Sequence, residues 1–292
     1  MMQIIRTYIK ALGLAFSFWK LWLLIFLFNL LAVQLVLWPL RIWMGATLGR
    51  SRSSVALSES FDLNIIMDLI HSEGSVFFYM LPLLLCVIII YAIWISLASG
   101  GLIHAFQQRS GSIRHFFSGG LQYLLPNIRI SFYIVFLHVI LLFLAYSYFA
   151  KDGLNVLEME DELFLIRRFW FLLFLVIIAS FFISIWRDLS RIFVALYHRK
   201  NYWYTLEFYK AFRSVFSARY LLMALLNYLI LACLAFIYFS VLSSKTLADS
   251  SFFLLALSQM IISLRIILKV ARLGSFYILA SDKFTAALPD HS

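Results

Sequence analysis

The sequence predicts an all-α, polytopic membrane protein of six transmembrane helices, built as three repeats of an interfacial amphipathic helix followed by a transmembrane hairpin. Three observations lead there. The 292 residues are 64% hydrophobic and only 13% charged, with a mean hydropathy of +0.94, whereas a soluble domain is usually about a quarter charged. Six apolar stretches approach the roughly 20 helical residues that a hydrocarbon core requires. A basic, aromatic, amphipathic segment occurs three times, each time just before an apolar stretch.

The spans fall at about 21–40, 76–98, 130–150, 169–186, 220–242 and 250–268. Arg265 interrupts the sixth. No run of alternating ~10-residue strands marks a barrel, so helices are the means of satisfying the backbone in lipid. The basic start resembles a signal peptide. Its apolar region is too long for one, and no small-x-small cleavage site follows "VLWPLRIW". It is expected to be retained as the first span.

Charge orients the chain. Arg6, Lys10 and Lys20 precede the first span without an acid, and Arg109, Arg114 and Arg129 lie between the second and third, again without one. Between spans four and five come Arg187, Arg191, Arg199, Lys200, Lys210, Arg213 and Arg219 against Asp188 and Glu207. The other connections hold most of the acids: Glu59, Asp62, Asp68 and Glu73 in one, Asp152, Glu158, Glu160, Asp161 and Glu162 in the next. Bases occur there too (Arg41, Arg50, Arg52, Lys151, Arg167 and Arg168), but the bias predicts both termini in the cytoplasm of a bacterial inner membrane. The net charge of +10 is then the positive-inside signal plus attraction to anionic lipid, and no nucleic-acid partner is expected.

The three amphipathic segments are "IRTYIKALGLAFSFWKLW" (Ile5–Trp22), "IRHFFSGGLQYLLPNIRI" (Ile113–Ile130) and "YTLEFYKAFRSVFSARYLL" (Tyr204–Leu222). In the first, Ile5, Tyr8, Ile9, Leu12 and Phe16 oppose Arg6, Lys10, Gly13 and Ser17 at helical spacing; in the third, Phe208, Phe212, Val215 and Phe216 oppose Lys210, Arg213, Ser214 and Ser217. Basic and aromatic composition suits the cytosolic membrane interface. One integral membrane domain therefore comprises units of about 1–103, 104–200 and 201–283, with a tail at 284–292.

A polar register accompanies the repeat. Asn29 lies nine residues after Lys20, His138 nine after Arg129 and Asn227 eight after Arg219, roughly 13 Å beyond each basic anchor. These groups either bond helix to helix or line a solute path. The second span ends "ISLASGGLIHAF", where Ser96, Gly100 and Gly101 permit close helix approach. The fourth continues as "WRDLSRIFVALYHRK" and the sixth as "LRIILKVARLGSF", expected as basic cytosolic stalks. Asp188 and Arg191, three apart, form a local ion pair, or else Arg187, Asp188 and Arg191 dock a partner. Arg213 and Arg219 are further candidate contacts for lipid or partner. Arg265 either snorkels to the interface or counters an acidic lipid or substrate group.

Chemistry is sparse. The acidic run "LEMEDELF" lacks a histidine and reads as a solvated loop or a weak divalent-cation site. His104 and His115 share a connection with no Cys, Asp or Glu beside them. "LASGGLI" lacks the Lys-Ser/Thr of a phosphate loop, no G-x-S-x-G occurs, and the S-x-x-K at "SFWK" stands where a membrane-anchoring lysine belongs. Cys86 and Cys233 both lie in apolar spans, so no disulfide or metal framework is encoded. Of four prolines only Pro82 lies inside a span; Pro39 and Pro126 stand at span ends and Pro289 in the tail. Transporters commonly show more broken helices and intramembrane charges than this. No cofactor, catalytic residue or metal ligand is assigned.

The stretch "SGGLIHAFQQRSGSIRHFFSGGLQYLLPNI" (Ser99–Ile128) has a glycine-bearing span end, a short basic turn and an amphipathic helix closing near a proline. It resembles the membrane domain attached to some bacterial glycerophosphodiester phosphodiesterases and related six-span bacterial proteins. The resemblance implies an inner-membrane helical bundle; the catalytic domain of those enzymes has no counterpart here. The expected function is a non-catalytic membrane subunit or scaffold, contacting anionic cytosolic lipid and other membrane subunits, and the competing expectation is a permease for a lipid or small amphiphile.

Overall fold

The computed structural model describes residues 2–48, 74–156, 162–197, 205–242 and 251–287, and these are almost entirely helical, with no strand among them. In chain order the helices are α1 (Met2–Ser17), α2 (Trp19–Leu48), α3 (Gly74–Gln108), α4 (Ile113–Gln122), α5 (Leu124–Val156), α6 (Glu162–Tyr197), α7 (Thr205–Val215), α8 (Ala218–Leu242) and α9 (Ser251–Ala287). Five of them contain stretches long and apolar enough to cross a membrane: Trp19–Pro39, Pro82–Gln108, Leu124–Tyr148, Phe169–Tyr197 and Ala218–Val241. The acidic run expected at 157–164 lies mostly outside the described residues, as does the acidic connection at 59–73.

Each amphipathic segment is a short helix, a break and a long helix. The breaks are single turns at Phe18, at Tyr123, and at Phe216 and Ser217. The backbone carries across them: Phe18 N–H bonds Leu14 O at 3.1 Å, Tyr123 N–H bonds Gly119 O at 3.0 Å and Ser217 N–H bonds Ser214 O at 3.0 Å. The long helices need no charged side chain to stay helical, because lipid leaves the backbone no alternative partner.

The chain divides into two units. The smaller, Leu23–Ile95, holds most of α2 and the first part of α3; within it Phe28 stacks on Trp94 with centroids 4.1 Å apart. The larger comprises Met1–Trp22 and Ser96–Ser292. There α1 packs on α9, α6 on α5, α7 and α9, and α8 on α9.

The core of the larger unit corrects one expectation: the continuations of α6 and α9 are no free stalks. Leu189, Ile192, Val270, Ala271 and Phe276 are fully or almost fully buried there. The short helices divide their bulky apolar residues between two sides: Tyr8 and Phe116 are buried, and others face outward. Ile9, Phe16, Leu121 and Phe216 are each more than half exposed, while Tyr8, Ala11, Ala15, Ala211 and Val215 make the buried seam. Small residues such as Ala11, Ala15 and Ala211 let the helices approach closely there.

The crossing of α3 over α4 depends on glycine. A Cβ on Gly101 would stand 2.4 Å from Phe116 O, and one on Gly119 would stand 2.1 Å from the Cβ of His104. No other residue fits at either position, and Phe116 is fully buried as a result. The close approach expected from "ASGG" is therefore present.

Candidate buried polar site

A group of buried polar residues of the larger unit lies where α3, α5, α6, α8 and α9 come together. Asp188, on α6, is buried among apolar neighbours. Its Oδ2 accepts from Arg272 Nη2 of α9, and its Oδ1 accepts from Arg187 Nε at 3.2 Å. Arg272 also donates from Nη1 to Tyr228 Oη on α8 at 2.9 Å, and that hydroxyl lies 3.0 Å from Ser184 Oγ. The Tyr228 ring sits 5.4 Å from the same guanidinium. One carboxylate and one guanidinium thereby join three helices.

Arg191 does not pair with Asp188, although helical spacing places the two on one face. Its Nη1 donates to Ser99 Oγ of α3 at 2.7 Å and its Nη2 to Ser131 Oγ of α5 at 2.8 Å. Ser131 passes its proton to Asn127 O at 2.8 Å and lies 3.3 Å from Ser96 Oγ, while Asn127 Nδ2 donates to Ser96 O at 3.0 Å. A buried charge is costly unless hydrogen bonds surround it, and these hydroxyls supply them. Arg191 Nε, Arg272 Nε and Asn127 Oδ1 have no hydrogen-bond partner. Counted over the cluster, Arg191 and Arg272 bring two buried cations against the single carboxylate of Asp188.

The polar register behaves differently at its three positions. Asn227 is buried, and its Nδ2 donates to Tyr8 Oη of α1 and to Leu268 O of α9, both at 2.9 Å. Burial pushes the Tyr8 phenol above its ordinary value, with the Asn227 amide opposing the shift. His138 Nδ1 lies 2.8 Å from Ile134 O, the carbonyl one turn back on its own helix. Asn29 is half-buried on α2 within the smaller unit. Arg265, Arg213 and Arg219 are exposed, and Arg187 is partly so.

Arg272, Ser99, Ser131, Asn127 and Tyr228 were absent from the residues expected at a site. The sequence carries a faint signal for Arg272, since "VARLGSF" sets it between apolar neighbours at a spacing that turns it toward the core. Nothing in the sequence pairs it with Asp188, 84 positions earlier. Among the described residues no cluster of three His, Cys, Asp or Glu side chains has the spacing to hold a metal. The network can bind helices together; it offers no nucleophile beside a base.

Comparison with protein families, curated proteins and solved structures finds no match for this chain.

Proposed function

We propose that the chain is a non-catalytic, multi-pass subunit or scaffold of a bacterial inner-membrane assembly, with six spans, both termini cytoplasmic, and a threefold repeat of short helix plus hairpin. The observation that carries this is a contrast along the helices. One end of the larger unit is locked by the Asp188–Arg272 and Arg191 networks, while only 11%, 6% and 22% of the apolar windows of α5, α6 and α8 are buried. Helices that stand so open need lipid or partner helices along their sides. In this reading the N-terminal half of α9 completes the sixth span, α1, α4 and α7 lie along the cytosolic interface, and Arg265 snorkels there.

The hydrogen bonds of Asn227 favour the scaffold over the permease, because they tie α8 to α1 and α9, and His138 Nδ1 bonds within its own helix. The test is purification in mild detergent with mass spectrometry of what travels with the chain. A stoichiometric membrane partner, lost when outward residues such as Phe136 and Phe174 are replaced by polar ones, supports the scaffold. A lone chain that moves a lipid between leaflets in vesicles would refute it. Orientation is checked by cysteine labelling: Ser112 and Ser214 should react only from the cytoplasmic side.

A further inference from the structure

Arg109 is the one non-glycine among the described residues with a positive φ, 48°. It follows α3 directly. Its N–H bonds Phe106 O at 3.3 Å, and Ser110 N–H bonds Ala105 O at 3.1 Å. That pair of bonds closes a helix through a left-handed residue, a position glycine usually takes because it has no Cβ. A side chain there costs about 1 kcal/mol, and a strained non-glycine position directs attention to what its side chain touches.

The side chain borders a cavity of about 480 Å³ between α1, the end of α3 and the end of α9. Lys10 and Arg109 line it with cations; Phe18, Phe106 and Tyr277 give it an aromatic wall, with ring centroids 5.6 Å apart for the first pair and 6.1 Å for the second. Asp282 also lines it, so cations outnumber carboxylates among the lining residues. Aromatic walls beside cations suit an amphiphile with an anionic head.

We propose that this cavity binds the phosphodiester head of an anionic amphiphile, with Arg109 as the forked donor, Lys10 as the second cation and the Phe18–Phe106–Tyr277 wall against the glycerol and first methylenes. Guanidinium geometry matches two oxygens of a phosphate at once. The site depends on the membrane reading only for its supply of lipid, and it stands whether or not the chain is a scaffold. Another basic cavity, about 560 Å³, is lined by Trp19, Lys20 and Arg114 without a carboxylate, so binding there has to be separated from binding at Arg109.

The experiment uses the full chain in a nonionic detergent, with native mass spectrometry against phosphatidylglycerol, phosphatidylcholine and soluble glycerophosphoglycerol, and a parallel unfolding midpoint. Wild type should hold phosphatidylglycerol in preference to phosphatidylcholine. Arg109→Gly should weaken it by about 10-fold yet unfold no earlier than wild type, since glycine relieves the left-handed position. Lys10→Gln should weaken it as well, and the loss caused by Arg109→Gly should be the same with or without Lys20→Gln. Displacement by glycerophosphoglycerol would assign the site to a soluble phosphodiester, and no displacement to the lipid. Unchanged affinity in Arg109→Gly, a lower midpoint for that variant, or equal affinity for phosphatidylcholine would overturn the proposal.

Discussion

Replacing Asp188 by Asn tests the buried network most directly. The change is isosteric, so packing against Leu189 and its neighbours is kept and only the charge is lost. Arg272 and Arg187 then lose the carboxylate they share, and Arg191, one turn further along, loses the nearest opposite charge. Two buried guanidiniums and one partly buried one remain without compensation. Removing one partner of a buried pair costs about 3–5 kcal/mol, and an amide can accept from only one of the two guanidiniums while it presents its N–H groups to the other. The assay is loss of helicity on titrating a denaturing detergent into mild-detergent micelles. Asp188→Asn should unfold earlier by that amount. The double variant Asp188→Leu with Arg272→Met should recover most of the loss, because a well-packed apolar pair replaces a buried ion pair at little or no cost. A single variant within about 1 kcal/mol of wild type, or a double variant no better than the single, would refute the view that the pair is mutually dependent.

Gly119→Leu should cost about 3 kcal/mol or prevent folding, because its Cβ would overlap the Cβ of His104; yield of monodisperse protein and unfolding midpoint measure it. Asn227→Leu should cost about 1–2 kcal/mol by stranding Tyr8 Oη and Leu268 O, whereas His138→Leu should cost less, since its bond stays within one helix. Tyr8 has a raised value in the folded state, so the stability it contributes is fully present below the ordinary tyrosine value of about 10 and is lost as pH climbs through the raised one. Tyr8→Phe should flatten that alkaline decline in the unfolding midpoint.

The sequence by itself determined that the chain is helical, with helices long and apolar enough to cross a membrane, and where its long helices run. Hydrophobic content and the length of apolar runs are local properties, and lipid enforces helix wherever such a run occurs. The short amphipathic helices were legible for the same reason, through spacings of three and four residues, and the close approach at Gly101 through its small-residue cluster. The facing of those short helices was not. Periodicity marks an apolar stripe, but in a membrane both the core and the lipid accept it, so Phe16 and Phe216 could turn outward while Ala11 and Ala211 took the seam. Only tertiary structure decided the partners of the buried charges. Asp188 and Arg191 share a helix face, which made a local pair the natural expectation. Arg272 arrives from 84 residues away and takes the carboxylate, and Arg191 turns to hydroxyls on α3 and α5. Pairing across helices depends on which faces meet, and one-dimensional spacing holds no record of that.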